Sequence, residues 1–357
     1  MKSMRVAILS DLFVTKEVLQ RALDKAFSDS GITFEYSYWE DRWPATPVQK
    51  NDEISEFVGN DDEVVPHVAE AEMILTHTAP ITAKVITAAP RLKIVGAARG
   101  GPTNINWTAC TERGIPVLYA PGRNSAAVAE FAIGLMLAQS RNITRSHMSL
   151  FGQRKWRGDL YVHTAIGKEL GSSIVGVIGL GAIGKKIARL ACAFGAKILV
   201  YDPYQNAQET QGLGYEPVAL DELLRLSDFI SLSARLTKET AGMIAEREIG
   251  LMKRSAYLVN TARGELIQQA HLYRALKENR IAGAALDVFE DEPPPGDSPL
   301  FALDNVTATS HLAGASIQAA ELGAKILLED VHDYLMRNTT PRHCVNPEFS
   351  RHARGGR

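Results

Sequence analysis

The chain has 357 residues, of which 45% are hydrophobic and 22% are charged, and its formal net charge at pH 7 is -2. This composition is typical of a folded globular protein and excludes an intrinsically disordered one. The nearly balanced charge gives no basic surface field that would attract nucleic acid or an anionic membrane. We therefore expect one or two domains that act on a small molecule.

The cysteines and apolar runs set further bounds. Cys110, Cys192 and Cys344 are far apart and form no C-x-x-C motif, which argues against a disulfide framework or a structural zinc site. The apolar run at residues 6–9 is shorter than a signal-peptide core, and no apolar run reaches the length of a membrane span. We expect no metal site, no membrane segment and a cytoplasmic location.

In the first third of the chain, strand-like apolar runs alternate with helix-period segments. Strands are predicted at residues 5–10, 73–78, 93–98 and 116–120, with helices at 17–27, 83–88 and 106–113. This alternation predicts a parallel sheet with helices on its faces. Residues 39–64, which mix proline-bearing polar stretches with an acidic run, are predicted to be a solvated surface connection.

A long helix and a second strand series follow. The helix is predicted to begin after Asn124 or Ser125, and it is apolar on more than one face, which indicates wide burial. Strands are then predicted at 174–178, 197–201, 229–232, 256–259, 283–288 and 306–309. The two series predict two α/β domains with a boundary near Pro121, and the basic residues 348–357 are predicted to form a frayed tail.

Residues 174–184 carry a glycine pattern, IVGVIGLGAIG, directly after a predicted strand. Gly179 permits a tight turn, Gly181 lets the backbone approach a pyrophosphate, and Gly184 lets the following helix pack closely on the strand. A G-x-G-x-x-G pattern alone also suits a plain turn. Its place between a strand and a helix favours a dinucleotide site.

The residues between and after these glycines indicate which dinucleotide binds. Ala182 and Ile183 begin the helix whose N-terminal N–H groups would face the phosphates. Asp202 follows the next predicted strand, 18 residues beyond Gly184, where a carboxylate accepts hydrogen bonds from a ribose and repels a 2′-phosphate. We therefore predict NAD rather than NADP as the cofactor.

Three polar residues follow predicted strands of the second series: Arg263 in NTARGELI, Glu292 in ALDVFEDEP and His311 in TSHLAG. Ligands bind at the carboxyl ends of the strands in such sheets, so these side chains are expected to converge. An arginine can hold a carboxylate with two parallel hydrogen bonds, an imidazole can exchange a proton near neutral pH, and a carboxylate on its far nitrogen fixes the tautomer. Taken singly, each could instead be a surface ion pair, a buried structural histidine or part of a solvated acidic run.

The ordered motifs APGRNSAAVAEFAIGLML, VGVIGLGAIG, SDFISL, NTARGELI, GAALDVFEDEP and HLAG resemble the D-isomer-specific 2-hydroxyacid dehydrogenases, most closely the phosphoglycerate dehydrogenase branch, over residues 93–347. The resemblance implies that Arg263 orients the substrate, that Glu292 pairs with His311 and that His311 is the acid/base. It also implies cofactor contacts at Ala262 and Asp287. A strand-end cap is the alternative role for Asp287.

The resemblance also implies the architecture. We expect a Rossmann NAD-binding domain at residues 122–312 and a flavodoxin-like substrate-binding domain at residues 1–121, completed by residues 313–347. Both would be doubly wound parallel sheets. A homodimer formed through the long helix is expected.

The substrate loops depart from the pattern of that branch. Where R-A-G-x-G-x-D-N-I-D is frequent, the chain reads AARGGPTNIN, so Ala97 replaces the arginine and Arg99 stands two places later. The predicted substrate contacts of this loop and of the loop after the preceding strand are Arg99, Gly100, Gly101 and His77. Arg123, before the long helix, is expected on the surface, and a position in the substrate cleft is the alternative. The departures leave phosphate recognition open.

The predicted reaction is NAD-dependent hydride transfer between the nicotinamide and C2 of a D-2-hydroxy acid, with 3-phosphoglycerate as one candidate. Glyoxylate, hydroxypyruvate or a sugar acid are alternatives. A non-enzymatic NAD-sensing corepressor is a further alternative, although Arg263, Glu292 and His311 are all present. A formate dehydrogenase would carry glutamine at Glu292.

Overall fold

The structure, a computed structural model, describes residues 2–350. These divide into two compact units: unit 1 comprises the described residues up to Asn124 and from Ala315 onward, and unit 2 comprises Ser125–Gly314. No described helix is long and apolar enough to cross a membrane. Among the described residues there is no cluster of three metal-ligating side chains.

Unit 1 is built on a five-stranded parallel sheet. The strands of the whole unit, including two outside this sheet, are β1 (Lys2–Ser10), β2 (Ile32–Glu40), β3 (Gln49–Lys50), β4 (Ser55–Phe57), β5 (Met73–Thr76), β6 (Ile94–Ala97) and β7 (Val117–Tyr119). Its helices are α1 (Lys16–Ala26), α2 (Asp61–Val68), α3 (Ala83–Ala88), α4 (Trp107–Glu112) and α12 (Ile317–Arg337). The strand order is β2-β1-β5-β6-β7, and β3 and β4 form a separate antiparallel pair. This is the flavodoxin-like order, and it reverses between β1 and β5.

The core of unit 1 lies on both faces of that sheet because successive side chains of a strand point to opposite faces. Val6 and Ile8 of β1 pack with buried residues of α1 and α12, whereas Ala7 and Leu9 pack with buried residues of α2 and α3. Ser316 is the N-cap of α12, and its side chain accepts a hydrogen bond from the Ala319 N–H.

Unit 2 contains a seven-stranded parallel sheet. Its strands are β8 (Ile174–Ile178), β9 (Lys197–Tyr201), β10 (Glu216–Pro217), β11 (Phe229–Leu232), β12 (Tyr257–Asn260), β13 (Gly283–Leu286) and β14 (Val306–Ala308). Its helices are α5 (Ser125–Ser140), α6 (Ile143–Gly152), α7 (Ala182–Ala193), α8 (Ala207–Gly212), α9 (Leu220–Leu226), α10 (Glu246–Leu251) and α11 (Gln269–Lys277). The order β10-β9-β8-β11-β12-β13-β14 is the Rossmann order extended by one strand.

Burial explains the central elements of unit 2. β8 is apolar and almost wholly buried, as expected for a parallel strand covered on both faces. α7 buries Gly184, Ile187, Ala188 and Ala191, the spacing of a helix that turns one stripe toward the sheet. The strand order reverses between β8 and β11, which is the usual ligand position in such sheets.

Three expectations need correction. No strand was predicted at β2, which pairs with β1 along its whole length. Residues 39–64 are not simply solvated, since Asp41, Ile54 and Phe57 are buried and α2 begins there. In the predicted tail, Phe349 is buried and its ring centroid lies 5.9 Å from that of Tyr334. Residues 351–357 of that tail lie outside the described residues.

Candidate active site

The glycine loop after β8 has a separate steric reason for each glycine. Gly179 has a φ of 93°, and a Cβ there would lie 2.7 Å from the backbone nitrogen of Ala234. A Cβ on Gly184 would lie 2.0 Å from the Gly179 carbonyl oxygen, so these two glycines are needed to pack the loop. A Cβ on Gly181 would meet no atom within 4 Å. Open space therefore borders this glycine at the start of α7.

This open space fits the phosphates of a dinucleotide. The first N–H groups of a helix have no partners within the helix, and the helix dipole favours an anion at that end. Ala182 is exposed and Ile183 is partly buried there. The carboxylate of Asp202 accepts N–H bonds of 2.7 Å from Leu180 and 2.9 Å from Tyr204. Each carboxylate oxygen can accept a further bond, so Asp202 both fixes the loop and keeps capacity for ribose hydroxyls.

Arg263 lies in the turn after β12, and its guanidinium is exposed. The buried side chain of Asn260 shapes this turn: it donates to the Arg263 carbonyl at 2.8 Å and accepts from the Ala262 N–H at 3.0 Å. One guanidinium N–H of Arg263 donates to the Ala262 carbonyl at 2.7 Å. The other donors of the five-donor fork remain for a ligand.

Gly264 joins this turn to the loop that carries Glu292. A Cβ on Gly264 would lie 1.9 Å from the backbone carbon of Phe289. The Phe289 N–H in turn donates to Oε1 of Glu292 at 3.0 Å. The loops of Arg263 and Glu292 are therefore packed directly against each other.

His311 and Glu292 form the hydrogen-bonded pair that the sequence predicts. Nδ1 of His311 lies 2.7 Å from Oε2 of Glu292, and the side chains are 51% and 34% exposed. Among the described residues no group bonds to Nε2 of His311. Nδ1 is thus the proton-bearing nitrogen toward Glu292, and Nε2 is open to a ligand.

The charges around this pair set its protonation. The hydrogen bond to Glu292, together with that group's charge, raises the pKa of His311, while burial and the Arg263 charge act in the opposite direction. Burial alone would raise the pKa of Glu292, but the hydrogen bond and charge of His311 hold it below its ordinary value. The pair therefore favours an imidazolium that can give up a proton.

Asp287 holds the loop of His311. It is fully buried, and its carboxylate accepts bonds of 2.8 Å from both the Leu312 and Ala313 N–H groups and of 2.6 Å from the Thr309 hydroxyl. His311 has a φ of 53°, a strained value for a residue other than glycine, and these bonds fix it. These contacts match the capping role, and a contact between Asp287 and the cofactor stays a prediction.

In unit 1, His77 lies in a second polar cluster, at the carboxyl ends of the strands. Its Nδ1 lies 2.5 Å from Oδ2 of Asp11, which follows β1, and its Nε2 lies 2.9 Å from Nη2 of Arg123. Burial lowers the pKa of His77 to about 4, against the raising effect of Asp11. The ring is neutral at pH 7, and with both nitrogens engaged it can act on a ligand only through its neighbours.

The cluster continues through Thr78 to Asp41. The Thr78 hydroxyl lies 2.8 Å from a carboxylate oxygen of Asp11 and 2.8 Å from one of Asp41. One hydroxyl proton cannot serve both acceptors at once, so protonation of Asp41 below its pKa would complete the chain of bonds. Burial raises the pKa of Asp41 to about 6, consistent with this arrangement.

Arg123 is partly buried and not fully on the surface. Its Nε is buried and has no partner within residues 2–350, and its guanidinium carbon lies 5.4 Å from the ring centroid of Phe13. The side chain also donates to the Ala319 carbonyl of α12 at 3.3 Å. Residues distant in sequence, in α12, thus cover part of this arginine.

Arg99 is engaged by an acid. Its guanidinium contacts the Glu56 carboxylate and donates to the Glu56 carbonyl at 3.0 Å. Gly100 is exposed, and a Cβ on either Gly100 or Gly101 would meet no atom within 4 Å. The loop can present backbone groups, but the charge of Arg99 is balanced within unit 1.

Sequence reasoning did not select Asp11, Asp41, Thr78 or Asn260. The signal that selected His311 was available for Asp11 and Asn260, because both lie at the carboxyl ends of parallel strands. Asp41 was hidden by its polar surroundings in the sequence.

The chain has clear similarity to known proteins. Residues 133–313 match the family model described as D-isomer specific 2-hydroxyacid dehydrogenase, NAD binding domain. A glyoxylate reductase of Korarchaeum cryptofilum is 38% identical over 338 residues, covering 94% of this chain and 96% of the relative. A D-3-phosphoglycerate dehydrogenase of Methanocaldococcus jannaschii is 40% identical over 287 residues, which span 80% of this chain and 53% of that longer protein.

Solved structures agree with the fold. The apo-structure of D-lactate dehydrogenase from Escherichia coli superposes with a TM-score of 0.74 and 26% sequence identity, covering 96% of this chain and 100% of that chain. The similarity thus extends over both units.

Proposed function

The chain belongs to the D-isomer-specific 2-hydroxyacid dehydrogenase family and is an NAD-dependent oxidoreductase, and we propose that it acts on a small unphosphorylated 2-oxo acid of the glyoxylate or hydroxypyruvate type. The observation that carries the substrate proposal is the contact between Arg99 and the Glu56 carboxylate. A dianionic phosphate placed beside Arg99 would be repelled by the Glu56 carboxylate. Arg99 would attract it little, because the charge of this arginine is already balanced.

The proposed proton path uses the open nitrogen of His311. In reduction, protonated Nε2 donates to the carbonyl oxygen of the substrate as C2 gains the electron pair, and in oxidation the neutral Nε2 accepts the hydroxyl proton. When bound, NADH would supply that electron pair as a hydride from its nicotinamide in reduction, and NAD⁺ would accept it in oxidation. Glu292 keeps its bond to Nδ1 throughout and stabilises the imidazolium.

The proposed role of Arg263 is to bind and polarise the substrate. Its exposed fork has donors beyond the one that reaches the Ala262 carbonyl. A guanidinium can hold a carboxylate and a carbonyl oxygen at fixed geometry, so it aligns C2 while it attracts charge toward the oxygen.

A second candidate substrate is 3-phosphohydroxypyruvate, the oxo acid related to 3-phosphoglycerate. The 40% identity with the phosphoglycerate dehydrogenase of M. jannaschii favours it. Against it stand Ala97 at the position of the frequent arginine and the acid on Arg99.

The test follows NADH absorbance while the protein meets glyoxylate, hydroxypyruvate, pyruvate and 3-phosphohydroxypyruvate, each repeated with NADPH. We expect the highest kcat/KM for an unphosphorylated acid with NADH. A higher kcat/KM for 3-phosphohydroxypyruvate would overturn the substrate proposal. Tight NADH binding without turnover of any acid would favour the NAD-sensing alternative.

A homodimer is also proposed, through a surface next to the long helix rather than through that helix alone. α5 is largely buried within unit 2 itself. By contrast, α6 and the residues after it expose many apolar side chains, a density that marks interaction surfaces. These are Ile143, Met148, Leu150, Phe151, Trp156, Tyr161, Val162 and Ile166.

Sedimentation velocity tests the dimer. The parent should sediment as a dimer, and a Phe151→Ser, Trp156→Ser double variant should shift toward the monomer. Leu213→Ser, at an exposed apolar residue of unit 2 outside this surface, is the matched control. A monomeric parent would contradict the proposal. The cytoplasmic location stays a prediction.

A further inference from the structure

Arg123 is a largely enclosed cation whose direct partners are uncharged. Its guanidinium bonds to the neutral ring of His77 at 2.9 Å and to the Ala319 carbonyl at 3.3 Å. Among the described residues no carboxylate lies within salt-bridge distance of it, and its Nε has no hydrogen-bond partner. A charge removed from water without a counter-ion destabilises the fold, so this arrangement calls for an explanation.

The position of Arg123 is fixed from several sides. A Cβ on Gly323 of α12 would lie 2.7 Å from Cδ of Arg123, so the glycine makes room for the arginine stem. On another side lies the ring of Phe13, at 5.4 Å from the guanidinium carbon. His77 completes the support, because its own tautomer is set by the bond from Nδ1 to Asp11. A guanidinium held in this way has lost its rotational freedom before any ligand binds.

The local charges leave Arg123 protonated and without a counter-ion among the described residues. Burial and the nearby charge of Arg99 lower the pKa of Arg123 to about 10, against the raising effect of Asp11. It stays protonated at pH 7. The three acids of this area are already engaged, Asp11 by His77, Glu56 by Arg99 and Asp41 by Thr78.

We propose that Arg123 recognises a carboxylate of the substrate, with His77 and Asp11 as positioning residues that aim its guanidinium. This deepens the proposed function and rests on it. A bound carboxylate would supply the missing counter-ion and could accept from the planar fork. A monoanion fits better than a phosphate because Asp11 and Glu56 already place negative charge nearby.

The carboxylate could be the C1 group common to all 2-oxo acids or a second carboxylate at the far end of a dicarboxylic 2-oxo acid. Steady-state kinetics of Arg123→Met and Arg123→Lys with glyoxylate and with 2-oxoglutarate, each as substrate or competitive inhibitor, separate these sources. We expect at least a tenfold rise in KM or Ki for Arg123→Met, with kcat changed less than threefold. A rise for both compounds assigns the C1 group, and a rise for 2-oxoglutarate alone assigns the distal group.

The control is Arg113→Lys. Arg113 is another arginine of unit 1, and its guanidinium donates only to backbone carbonyls around the end of α3. Its substitution should leave both constants unchanged. If Arg123→Met and Arg123→Lys also leave both constants unchanged, the proposal is overturned.

The positioning role is tested separately at His77. In His77→Asn the amide can still donate toward Asp11 and accept from Arg123, whereas His77→Leu can do neither. We expect KM to rise in His77→Leu and to stay within threefold of the parent in His77→Asn. Equal KM values in His77→Leu and the parent would remove the positioning role.

Oxalate binding tests the role of Arg123 without requiring turnover. At matched ionic strength in chloride, oxalate should raise the melting temperature of the parent, of Arg113→Lys and of His311→Ala, and Arg123→Met should need at least tenfold more oxalate for the same shift. An unaltered oxalate response in Arg123→Met would overturn the role of Arg123. Failure of the parent to turn over any 2-oxo acid would instead overturn the proposed function, and the oxalate titration would still report on Arg123.

Discussion

His311 with Glu292 in unit 2 and His77 with Asp11 in unit 1 are two histidine–carboxylate pairs of similar length, 2.7 and 2.5 Å. Their protonation differs in direction. The pKa of His311 is raised, chiefly by the hydrogen bond to its carboxylate, whereas that of His77 is lowered to about 4, chiefly by burial. The same contact therefore gives an acid in one unit and a neutral bridge in the other.

Exposure and the second ring nitrogen explain the difference. The side chain of His311 is 51% exposed and that of His77 is 4% exposed, so only His77 loses most of its hydration. Nε2 of His77 also accepts from a guanidinium, which requires that nitrogen to be unprotonated. A neighbouring carboxylate thus does not identify a catalytic histidine unless the far nitrogen is open.

Removing His311 gives the largest expected effect on activity. His311→Ala should lower kcat by roughly 10²- to 10⁴-fold, the usual contribution of a positioned acid/base, with NADH affinity unchanged by fluorescence titration. His77→Asn is the comparison, since it keeps the hydrogen-bonding pattern of a neutral ring. Turnover of His311→Ala at the parent rate would exclude His311 as the acid/base.

Removing the carboxylate of each pair should affect stability in the opposite order, with the larger loss in the buried pair of unit 1. Asp11 accepts from the Phe13 and Val14 N–H groups as well as from His77 and Thr78, so Asp11→Ala leaves buried donors unpaired and should lower the free energy of unfolding by about 3–5 kcal/mol. Glu292→Ala, in the more exposed pair, should lower it by about 1 kcal/mol or less. Urea titrations of both variants measure this. Equal losses would mean that burial does not distinguish the pairs.

The sequence predicted one of these pairs and not the other. β8, β9 and β11 have the bounds that their apolar runs predict, because strands buried on both faces leave a continuous hydrophobic signal. His311 could be selected because it follows a predicted strand of that kind. β2 was missed because this edge strand has only partly buried and exposed residues, and its mixed sequence, ITFEYSYWE, resembles that of a loop.

The environment of Arg123 could not be predicted from its neighbours. Its burial depends on Gly323 and Ala319 of α12, about 200 residues away in the chain. Asp41 likewise lies in a polar stretch of the sequence but is buried, and its carboxylate contacts Thr78 in the loop after β5. Local patterns report which residues enter a strand or helix, whereas the protonation of His77 depends on these long-range contacts.

Asp41→Asn tests whether the pKa of Asp41 is raised in the buried cluster. The pKa of Asp41 is raised from 3.8 to about 6, so the stability that its protonation provides is fully present below about pH 4 and is lost as the pH rises through 6. An amide can donate to Thr78 at every pH. The variant should therefore be more stable than the parent at pH 8 by up to about 3 kcal/mol, and this gain should vanish at pH 4.

Urea titrations of parent and variant across this pH range measure the difference. The titration of His77 occurs in both proteins and largely cancels. A gain that is equal at pH 4 and pH 8 would contradict a raised pKa at Asp41.

Glu292→Gln tests the exposed pair by its pH dependence. The glutamine keeps an acceptor for Nδ1 of His311 but removes the charge that favours the imidazolium, while burial and the Arg263 charge still lower the pKa. In reduction, kcat/KM falls as the pH rises through the pKa of His311, so this fall should move to lower pH in the variant. In oxidation, where neutral His311 is needed, the rise with pH should also begin at lower pH.

Asp291→Asn is the control: it removes an exposed charge from the same loop and should leave both profiles in place. If Glu292→Gln left them in place as well, the raised pKa of His311 would not come from Glu292, and the contrast with His77 would rest on burial alone.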